Sequence, residues 1–124
     1  MKKIMVVDDD KDATALFEDV LKAEGFAPVL LNESSKALQV AKAEKPDLFI
    51  LDLMMPEPDG FKLCRILRKE PEFMNTPIII VTALNDTDSR IVAIGAGAND
   101  YLTKPFRLDE LYTSIREHLE EPSY

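Results

Sequence analysis

Several features that secreted and membrane proteins commonly have are missing from this sequence. Its single cysteine, Cys64, cannot form a disulfide within the chain. No apolar stretch approaches the ~20 residues that a membrane-spanning helix requires. The first residues, MKKIMVVDDD, become acidic too early for the apolar region of a signal peptide. These absences predict a cytoplasmic protein with no membrane segment.

Basic residues are also scarce. Lysine and arginine total 15 against 23 aspartates and glutamates, which gives a net charge of -8. A protein that binds the phosphate backbone of nucleic acids needs a basic face, so we expect no direct nucleic-acid ligand. The composition, 46% hydrophobic and 31% charged, is typical of a globular domain. Because the sequence contains no linker or low-complexity tract, it predicts a single domain over residues 1–124.

Short apolar runs rich in valine and isoleucine recur along the chain. Because these runs are continuous and do not alternate with polar residues, they predict strands that are buried on both faces. They cover residues 4–7, 28–31, 48–51 and 78–81, with a weaker fifth run at residues 100–102. Segments with helical spacing separate the runs, so the sequence indicates an α/β fold, a (βα)5 three-layer sandwich with a parallel sheet.

The segments between the strands predict five amphipathic helices, each with an apolar face directed inward. The first ends at Gly25, the second covers residues 35–43 with serines available as caps, the third starts near Asp59, the fourth covers residues 87–96 and the fifth follows Pro105. The predicted inward faces include Leu16, Ile66 and Leu108.

Polar side chains follow four of the predicted strands. They are Asp8, Asp9 and Asp10 after the first, Asp52 after the third, Thr82 after the fourth and Lys104 after the fifth. Open parallel sheets bind ligands outside the carboxyl ends of their strands, so we expect these side chains to meet at one edge. A single aspartate after a strand is commonly a turn former or a helix cap, which is how we interpret Asp10.

The chemistry of the expected site favours magnesium. Carboxylates at Asp8, Asp9 and Asp52 repel one another, and a hard divalent cation relieves that repulsion. Magnesium prefers oxygen ligands, whereas a set without cysteine or histidine disfavours zinc and copper. A carboxylate beside such a metal can act as a nucleophile toward a phosphoryl group. Asp52 stands alone at its strand end and is the best candidate, with Thr82 and Lys104 available to stabilise the transferred group.

Four segments of the chain resemble the receiver domains of two-component response regulators. They are VVDDD at residues 6–10, LDLMMPEPDG at 51–60, PIIIVTAL at 77–84 and GANDYLTKPF at 97–106. Each segment alone is a modest signal, whereas together and in this order they are highly specific and cover essentially the whole chain. The resemblance implies the doubly wound, flavodoxin-like fold of the chemotaxis-type regulators, with a five-stranded parallel sheet of order 2-1-3-4-5.

The resemblance also implies roles for the residues of the expected site. Asp52 becomes the phosphoacceptor, which would make the domain a phosphoprotein carrying an aspartyl phosphate. The implied Mg²⁺ ligands are Asp8, Asp9, Asp52 and the main-chain carbonyl of Met54. Thr82 and Lys104 become phosphoryl ligands. We further interpret the apolar side chains of Met54 and Leu84 as a barrier to the water that hydrolyses the aspartyl phosphate.

A switch and a set of partners are implied as well. Tyr101 corresponds to the aromatic switch residue, which turns inward when the Thr82 hydroxyl moves to the phosphoryl group. The bond between Lys104 and Pro105 is expected to be cis. The implied donor is a histidine kinase or a phosphotransfer protein. An output partner, or a second copy in a phosphorylation-dependent homodimer, would bind the surface of the fourth helix, fifth strand and fifth helix.

Other functions compete with phosphorelay signalling. A receiver domain promotes only its own phosphorylation and dephosphorylation, so we do not expect an enzyme. A magnesium phosphatase of the haloacid dehalogenase class needs a second aspartate two residues after the nucleophile, where this chain has Met54. A receiver-like binding module that works without phosphate remains an alternative. A flavin or nucleotide carrier needs a phosphate-binding loop after the first strand, where Asp8, Asp9 and Asp10 would repel phosphate.

Overall fold

The computed structural model describes residues 1–119, in which strands and helices alternate. The strands are β1 (Lys3–Val7), β2 (Ala27–Leu31), β3 (Leu48–Leu51), β4 (Ile78–Thr82) and β5 (Asp100–Thr103). The helices are α1 (Lys11–Ala23), α2 (Ala37–Glu44), α3 (Gly60–Lys69), α4 (Thr87–Gly95) and α5 (Leu108–Leu119). The alternation confirms the predicted (βα)5 fold. The final residues of the predicted domain, 120–124, lie outside the described part of the chain.

The five strands form one parallel sheet in the order β2-β1-β3-β4-β5, which confirms the implied topology. Register is kept up to the carboxyl ends of the strands. Val7 of β1 pairs with both Leu31 of β2 and Leu51 of β3, and Thr82 of β4 pairs with Thr103 of β5. The residues that end or follow these strands therefore lie along one side of the sheet, which we call the carboxyl edge.

Helices cover both faces of the sheet because successive strand residues point to opposite sides. Along β1, Met5 and Val7 belong to a cluster that α2, α3 and α4 complete. The intervening Ile4 and Val6 belong to a second cluster, which Phe17 of α1 and residues of α5 complete. Burial of apolar surface on both faces contributes about 25 cal/mol per Å² and makes the sheet a rigid base for the residues at its edge.

Two expectations about burial are wrong. The predicted burial on both faces is observed for β3 and β4, whereas all five residues of β2 are only half-buried. The reason is that β2 is an outer strand with one neighbour, and an apolar run does not reveal its place in the sheet. Leu16, Ile66 and Leu108 are 50%, 36% and 46% exposed. They lie at the margins of their helical stripes, beyond the strip that the sheet covers.

Local details also differ from the expectations. The predicted serine cap of α2 is wrong, because a 3-10 turn at Ser34–Lys36 precedes the helix and the Ser34 hydroxyl donates to the Pro56 carbonyl at 3.0 Å. The expected cis bond between Lys104 and Pro105 is present, and Glu57–Pro58 is also cis. Between residues 1 and 119, no helix is both long and apolar enough to cross a membrane.

Candidate functional site

The carboxyl edge brings together the polar residues that follow separate strands. Asp52 follows β3, and its amide donates to the Val7 carbonyl of β1 at 3.1 Å. Lys104 follows β5, and its amide donates to the Thr82 carbonyl of β4 at 2.7 Å. The hydrogen-bonding pattern of the sheet therefore continues into the site and fixes the main chain from which Asp8, Asp52 and Lys104 project.

A single lysine joins two carboxylates at this edge. The Nζ atom of Lys104 lies 2.7 Å from Asp8 Oδ2 and 2.9 Å from Asp52 Oδ2. Asp8 is 2% exposed and Asp52 is 8% exposed, so little water reaches either carboxylate. Two negative charges thus share one positive charge in a partly buried site. Of the residues predicted to meet at this edge, Asp8, Asp52 and Lys104 are in direct contact, and we call them the trio.

The second oxygen of each carboxylate accepts a main-chain hydrogen bond. Asp8 Oδ1 accepts from the Asp10 amide at 2.9 Å, and Asp52 Oδ1 accepts from the Met54 amide at 3.0 Å. Both contacts join an aspartate to the amide two residues later, which is a turn that aspartate favours. These bonds hold the two carboxylates in the orientation that directs their other oxygens toward Lys104.

Burial and pairing have opposite effects on the charges of the trio. Burial raises the pKa of Asp8, the charge of Asp52 raises it further, and the hydrogen bonds from Lys104 and the Asp10 amide only partly oppose this. Burial also raises the pKa of Asp52, but Lys104 and the Met54 amide outweigh it and leave that pKa lowered. The two carboxylates raise the pKa of Lys104 against the lowering effect of burial. Asp52 is therefore an ionised carboxylate, whereas the ionised form of Asp8 is disfavoured by its surroundings.

Thr82 also belongs to the carboxyl edge. It is the last residue of β4 and is fully buried. Its hydroxyl contributes to the lowered pKa of Asp52 and accepts a long hydrogen bond, 3.4 Å, from the Leu84 amide. The hydroxyl thus hydrogen-bonds to Asp52, and at this position it can donate to an oxygen that becomes attached there.

The other aspartates after β1 do not join the trio. Asp10 caps α1 and accepts from the Asp12 amide at 2.9 Å, which confirms its predicted role as a cap. Asp9 is exposed. Among the described residues, no three histidine, cysteine, aspartate or glutamate side chains are arranged to hold a metal ion. The oxygens of Asp8 and Asp52 suit a hard cation that takes few protein ligands and keeps several waters, as Mg²⁺ does.

Tyr101, the expected switch residue, lies with its ring directed inward. Its side chain is 4% exposed, and its hydroxyl donates to the Leu84 carbonyl at 2.7 Å. Burial raises the pKa of the phenol, and the charge of Asp86 raises it further. Because the Leu84 amide also contacts Thr82 Oγ1, Leu84 links Tyr101 to the carboxyl edge.

Two residues that support the site were missed in the sequence. The Asn32 amide group donates to the Asp8 carbonyl at 2.9 Å and to Thr14 Oγ1 at 3.0 Å. Gly60 packs against the main chain of Asp52, where a Cβ would overlap the Asp52 carbonyl oxygen. Asn32 directly follows β2, so the rule applied to the other four strand ends would have found it. For Gly60 the signals were its position at the start of a helix and its place at the end of the segment LDLMMPEPDG.

Comparisons with known proteins agree with this arrangement. The sequence model of the family described as "Response regulator receiver domain" matches residues 4–116. The DNA-binding response regulator MtrA of Mycolicibacterium smegmatis is 37% identical over 118 residues, which are 95% of this chain and 50% of that protein. The chain spans about half the length of the curated relatives it matches.

Solved structures of receiver domains have the same fold. The BeF3-activated N-terminal receiver domain of Klebsiella pneumoniae RstA superimposes with a TM-score of 0.90 at 33% identity, covering 97% of this chain and 100% of that one. The receiver domain of Francisella response regulator 1452 gives a TM-score of 0.87 at 34% identity, covering 96% and 97% of the two chains. The chain therefore belongs to the response regulator receiver domain family and is a phosphorelay signalling domain of the two-component type.

Proposed function

We propose that Asp52 accepts a phosphoryl group from a phosphorylated histidine kinase or phosphotransfer protein. The contact between Asp52 and Lys104 carries this proposal. It places a buried but ionised carboxylate 2.9 Å from a cation at the ligand-binding edge of a parallel sheet. A carboxylate that stays ionised despite burial is a competent nucleophile, and a nearby ammonium group can compensate the charge that arrives with the phosphoryl group.

In the proposed transfer, a carboxylate oxygen of Asp52 forms a bond to phosphorus. The bond from phosphorus to the donor nitrogen breaks, and the imidazole leaves with that electron pair. Lys104 Nζ first orients the carboxylate and then contacts the phosphoryl oxygens, while the Thr82 hydroxyl donates to one of them. Asp52 needs no general base, because its carboxylate is already ionised.

We also propose that Asp8, Asp9, Asp52 and the Met54 carbonyl hold Mg²⁺, directly or through water. When bound, the ion supplies positive charge that offsets the repulsion between the carboxylates and the phosphoryl group. The excess of negative charge and the oxygen-only set of side chains support this site. If the proposal is correct, Mg²⁺ raises the melting temperature of the protein, since a ligand that binds the folded state stabilises it. Asp8→Asn should remove most of that rise, whereas Asp47→Asn, at the opposite end of β3, should keep it.

The decisive experiment for Asp52 is intact mass spectrometry after incubation with acetyl phosphate, with and without Mg²⁺. We expect the protein to gain one phosphoryl group, and we expect the gain to depend on Mg²⁺. Asp52→Asn should gain none, because an amide cannot act as the nucleophile. Asp47→Asn is the matched control and should be modified like the unaltered chain, because Asp47 caps the other end of the same strand by accepting from the Lys3 amide at 2.7 Å.

The same experiment separates the competing functions. A folded protein that binds Mg²⁺ but gains no phosphoryl group from acetyl phosphate or phosphoramidate would contradict the proposal and favour a phosphate-independent binding module. Sustained turnover of a small phosphate ester would favour a phosphatase. We expect no such turnover, since Met54 stands where a phosphatase of that class needs its second aspartate.

The family supports further proposals about partners. We infer that an output partner, or a second phosphorylated copy, binds the surface formed by α4, β5 and α5. The name of MtrA includes DNA binding, and this chain covers only about half of that protein. We propose that any DNA binding by such relatives lies in the half that this chain does not match, because the net charge of -8 disfavours contact with a phosphate backbone. We further propose that the domain works in the cytoplasm, where kinases of this type transfer their phosphoryl groups.

A further inference from the structure

Besides Leu84, a second residue, Arg90, contacts Tyr101. Arg90, in the middle of α4, places its guanidinium carbon 5.4 Å from the centre of the Tyr101 ring. The same guanidinium donates through Nη2 to the Tyr101 carbonyl at 3.1 Å. One exposed side chain therefore contacts both the ring and the main chain of Tyr101.

These contacts act together to favour the inward position. An arginine over the face of a tyrosine is attracted by the ring quadrupole, and its planar group can stack while it also donates a hydrogen bond. Outward rotation of Tyr101 removes the ring from beneath the guanidinium and breaks the 2.7 Å hydrogen bond to the Leu84 carbonyl. Arg90 itself is anchored by the Tyr101 carbonyl, which does not move when the side chain rotates.

We propose that Arg90 is a positioning residue that latches Tyr101 inward before any phosphoryl group is present. Its regulatory meaning rests on the proposed function and on the switch role that the family resemblance implies for Tyr101 and Thr82. Under that function, the resting domain already has much of the inward population that phosphorylation favours. A fraction of the resting molecules then already has the α4 and β5 surface that the partner binds. Arg90 therefore limits how much phosphorylation can still increase partner binding.

The test follows the ring of Tyr101 directly in the full chain labelled with 3-fluorotyrosine. The sequence has three tyrosines and no tryptophan, so fluorine NMR gives a few resonances, and Tyr101→Phe assigns the one of interest. The measured quantity is the shift of that resonance between H₂O and D₂O, which increases with exposure to solvent. We expect a small shift in the unaltered chain. Arg90→Met should raise the ratio of outward to inward Tyr101 about fivefold, since it removes the cation–π contact that only the inward ring makes.

Two variants make the test specific. Arg90→Lys keeps a cation over the ring and should restore part of the inward population. Arg116→Met is the matched control, because Arg116 lies 5.9 Å from the ring centre of another tyrosine, Tyr112, and its loss should leave the Tyr101 resonance unchanged. An Arg90→Met protein with the same Tyr101 resonance and the same isotope shift as the unaltered chain would overturn the latch.

This test does not depend on phosphorylation. It contains no phosphoryl donor and no Mg²⁺, so a chain that fails to accept a phosphoryl group on Asp52 can still show the latch. Conversely, a chain that is phosphorylated normally but shows no response to Arg90→Met retains the proposed function and loses only this inference.

Discussion

A partly buried cation lies near each end of the sheet, Lys104 at one end and Arg68 at the other, and these two cations have very different partners. At the carboxyl edge, Lys104 lies between two buried carboxylates, and negative charge exceeds positive charge. At the opposite end, which we call the amino edge, Arg68 of α3 donates to neutral oxygens at 2.6–2.9 Å. These acceptors are the carbonyls of Phe73, Thr76 and Gly97 and the side-chain oxygen of Asn99.

The amino edge maintains the fold, whereas the carboxyl edge is the part that we propose to react. Through these hydrogen bonds Arg68 connects the loop before β4 with the loop before β5. Asn99 adds another bond between the two loops by accepting from the Ile78 amide at 2.8 Å. Four of the five N–H donors of Arg68 are engaged in this way, so little of the cation is left to bind a further ligand. The carboxyl edge instead keeps two like charges together, which costs stability at the place where we propose that Mg²⁺ and a phosphoryl group bind.

The largest effect that we expect at the amino edge comes from Arg68→Ala. The variant leaves several half-buried oxygens without their donor, so the free energy of unfolding should fall by about 3 kcal/mol. Urea denaturation measures this change. Arg65→Ala, on the exposed side of the same helix, is the matched control and should change stability by less than about 0.5 kcal/mol. A variant as stable as the control would show that Arg68 does not hold the amino edge together.

A smaller loss is expected for Gly97→Ala, also at the amino edge. Gly97 has a φ of +114°, and a Cβ there would lie 2.6 Å from Arg68 Cγ. Strained backbone and displacement of Arg68 should together lower the free energy of unfolding by about 2 kcal/mol. Gly95→Ala is a control of opposite sign, because Gly95 ends α4 and a Cβ there meets no atom within 4 Å. It should stabilise the protein by about 0.5 kcal/mol or more.

At the carboxyl edge, in contrast, removing a charged side chain should increase the free energy of unfolding. Because burial raises the pKa of Asp8, its ionised form costs more in the folded chain than in the unfolded chain. Asp8→Asn should therefore raise the free energy of unfolding at neutral pH, without Mg²⁺, by about 1 kcal/mol. The difference should shrink as the pH falls through the raised pKa of the folded Asp8, and it should disappear below the lower pKa of the unfolded Asp8, where the carboxyl is neutral in both states.

The matched control for this prediction is Asp9→Asn, since Asp9 is the exposed neighbour of Asp8. Its stability should stay within about 0.5 kcal/mol of the unaltered chain. A destabilised Asp8→Asn protein would mean that the contact with Lys104 outweighs the cost of burial, and the two edges would then both be stabilising.

The same contrast explains what the sequence could predict. The carboxyl edge was predictable because parallel strands bring their carboxyl ends together, so Asp8, Asp52, Thr82 and Lys104 are neighbours in any such sheet. This reasoning uses only where the strands end. It gives no distances, and it did not foresee that Lys104 would bridge two carboxylates while Asp9 stays exposed.

The amino edge was not predictable by such a rule. Arg68 stands beside Lys69 and Glu70 in a charged stretch typical of a solvated helix face, and nothing near it in the sequence reveals its acceptors. Those acceptors lie up to 31 residues away, at Asn99. They become its partners only through loop conformations, including the positive φ of Gly97, which tertiary packing determines. The exposure of β2 was missed for the same reason, since it depends on the order of the strands.

The smallest effect that we predict concerns the rate of hydrolysis at the carboxyl edge. Met54 lies two residues after Asp52, and its side chain is 56% exposed beside the site. A thioether barely hydrogen-bonds, so it cannot orient a water for attack on an aspartyl phosphate, whereas an amide can. Met54→Asn should therefore shorten the lifetime of the phosphorylated protein about twofold to tenfold, which is a barrier lower by about 0.4–1.4 kcal/mol.

Met74→Asn, with the same 56% exposure but located between α3 and β4, should leave the lifetime unchanged. Loss of the phosphoryl group is followed by mass spectrometry after the donor is removed, and equal lifetimes for both variants would show that Met54 does not limit access of water to Asp52.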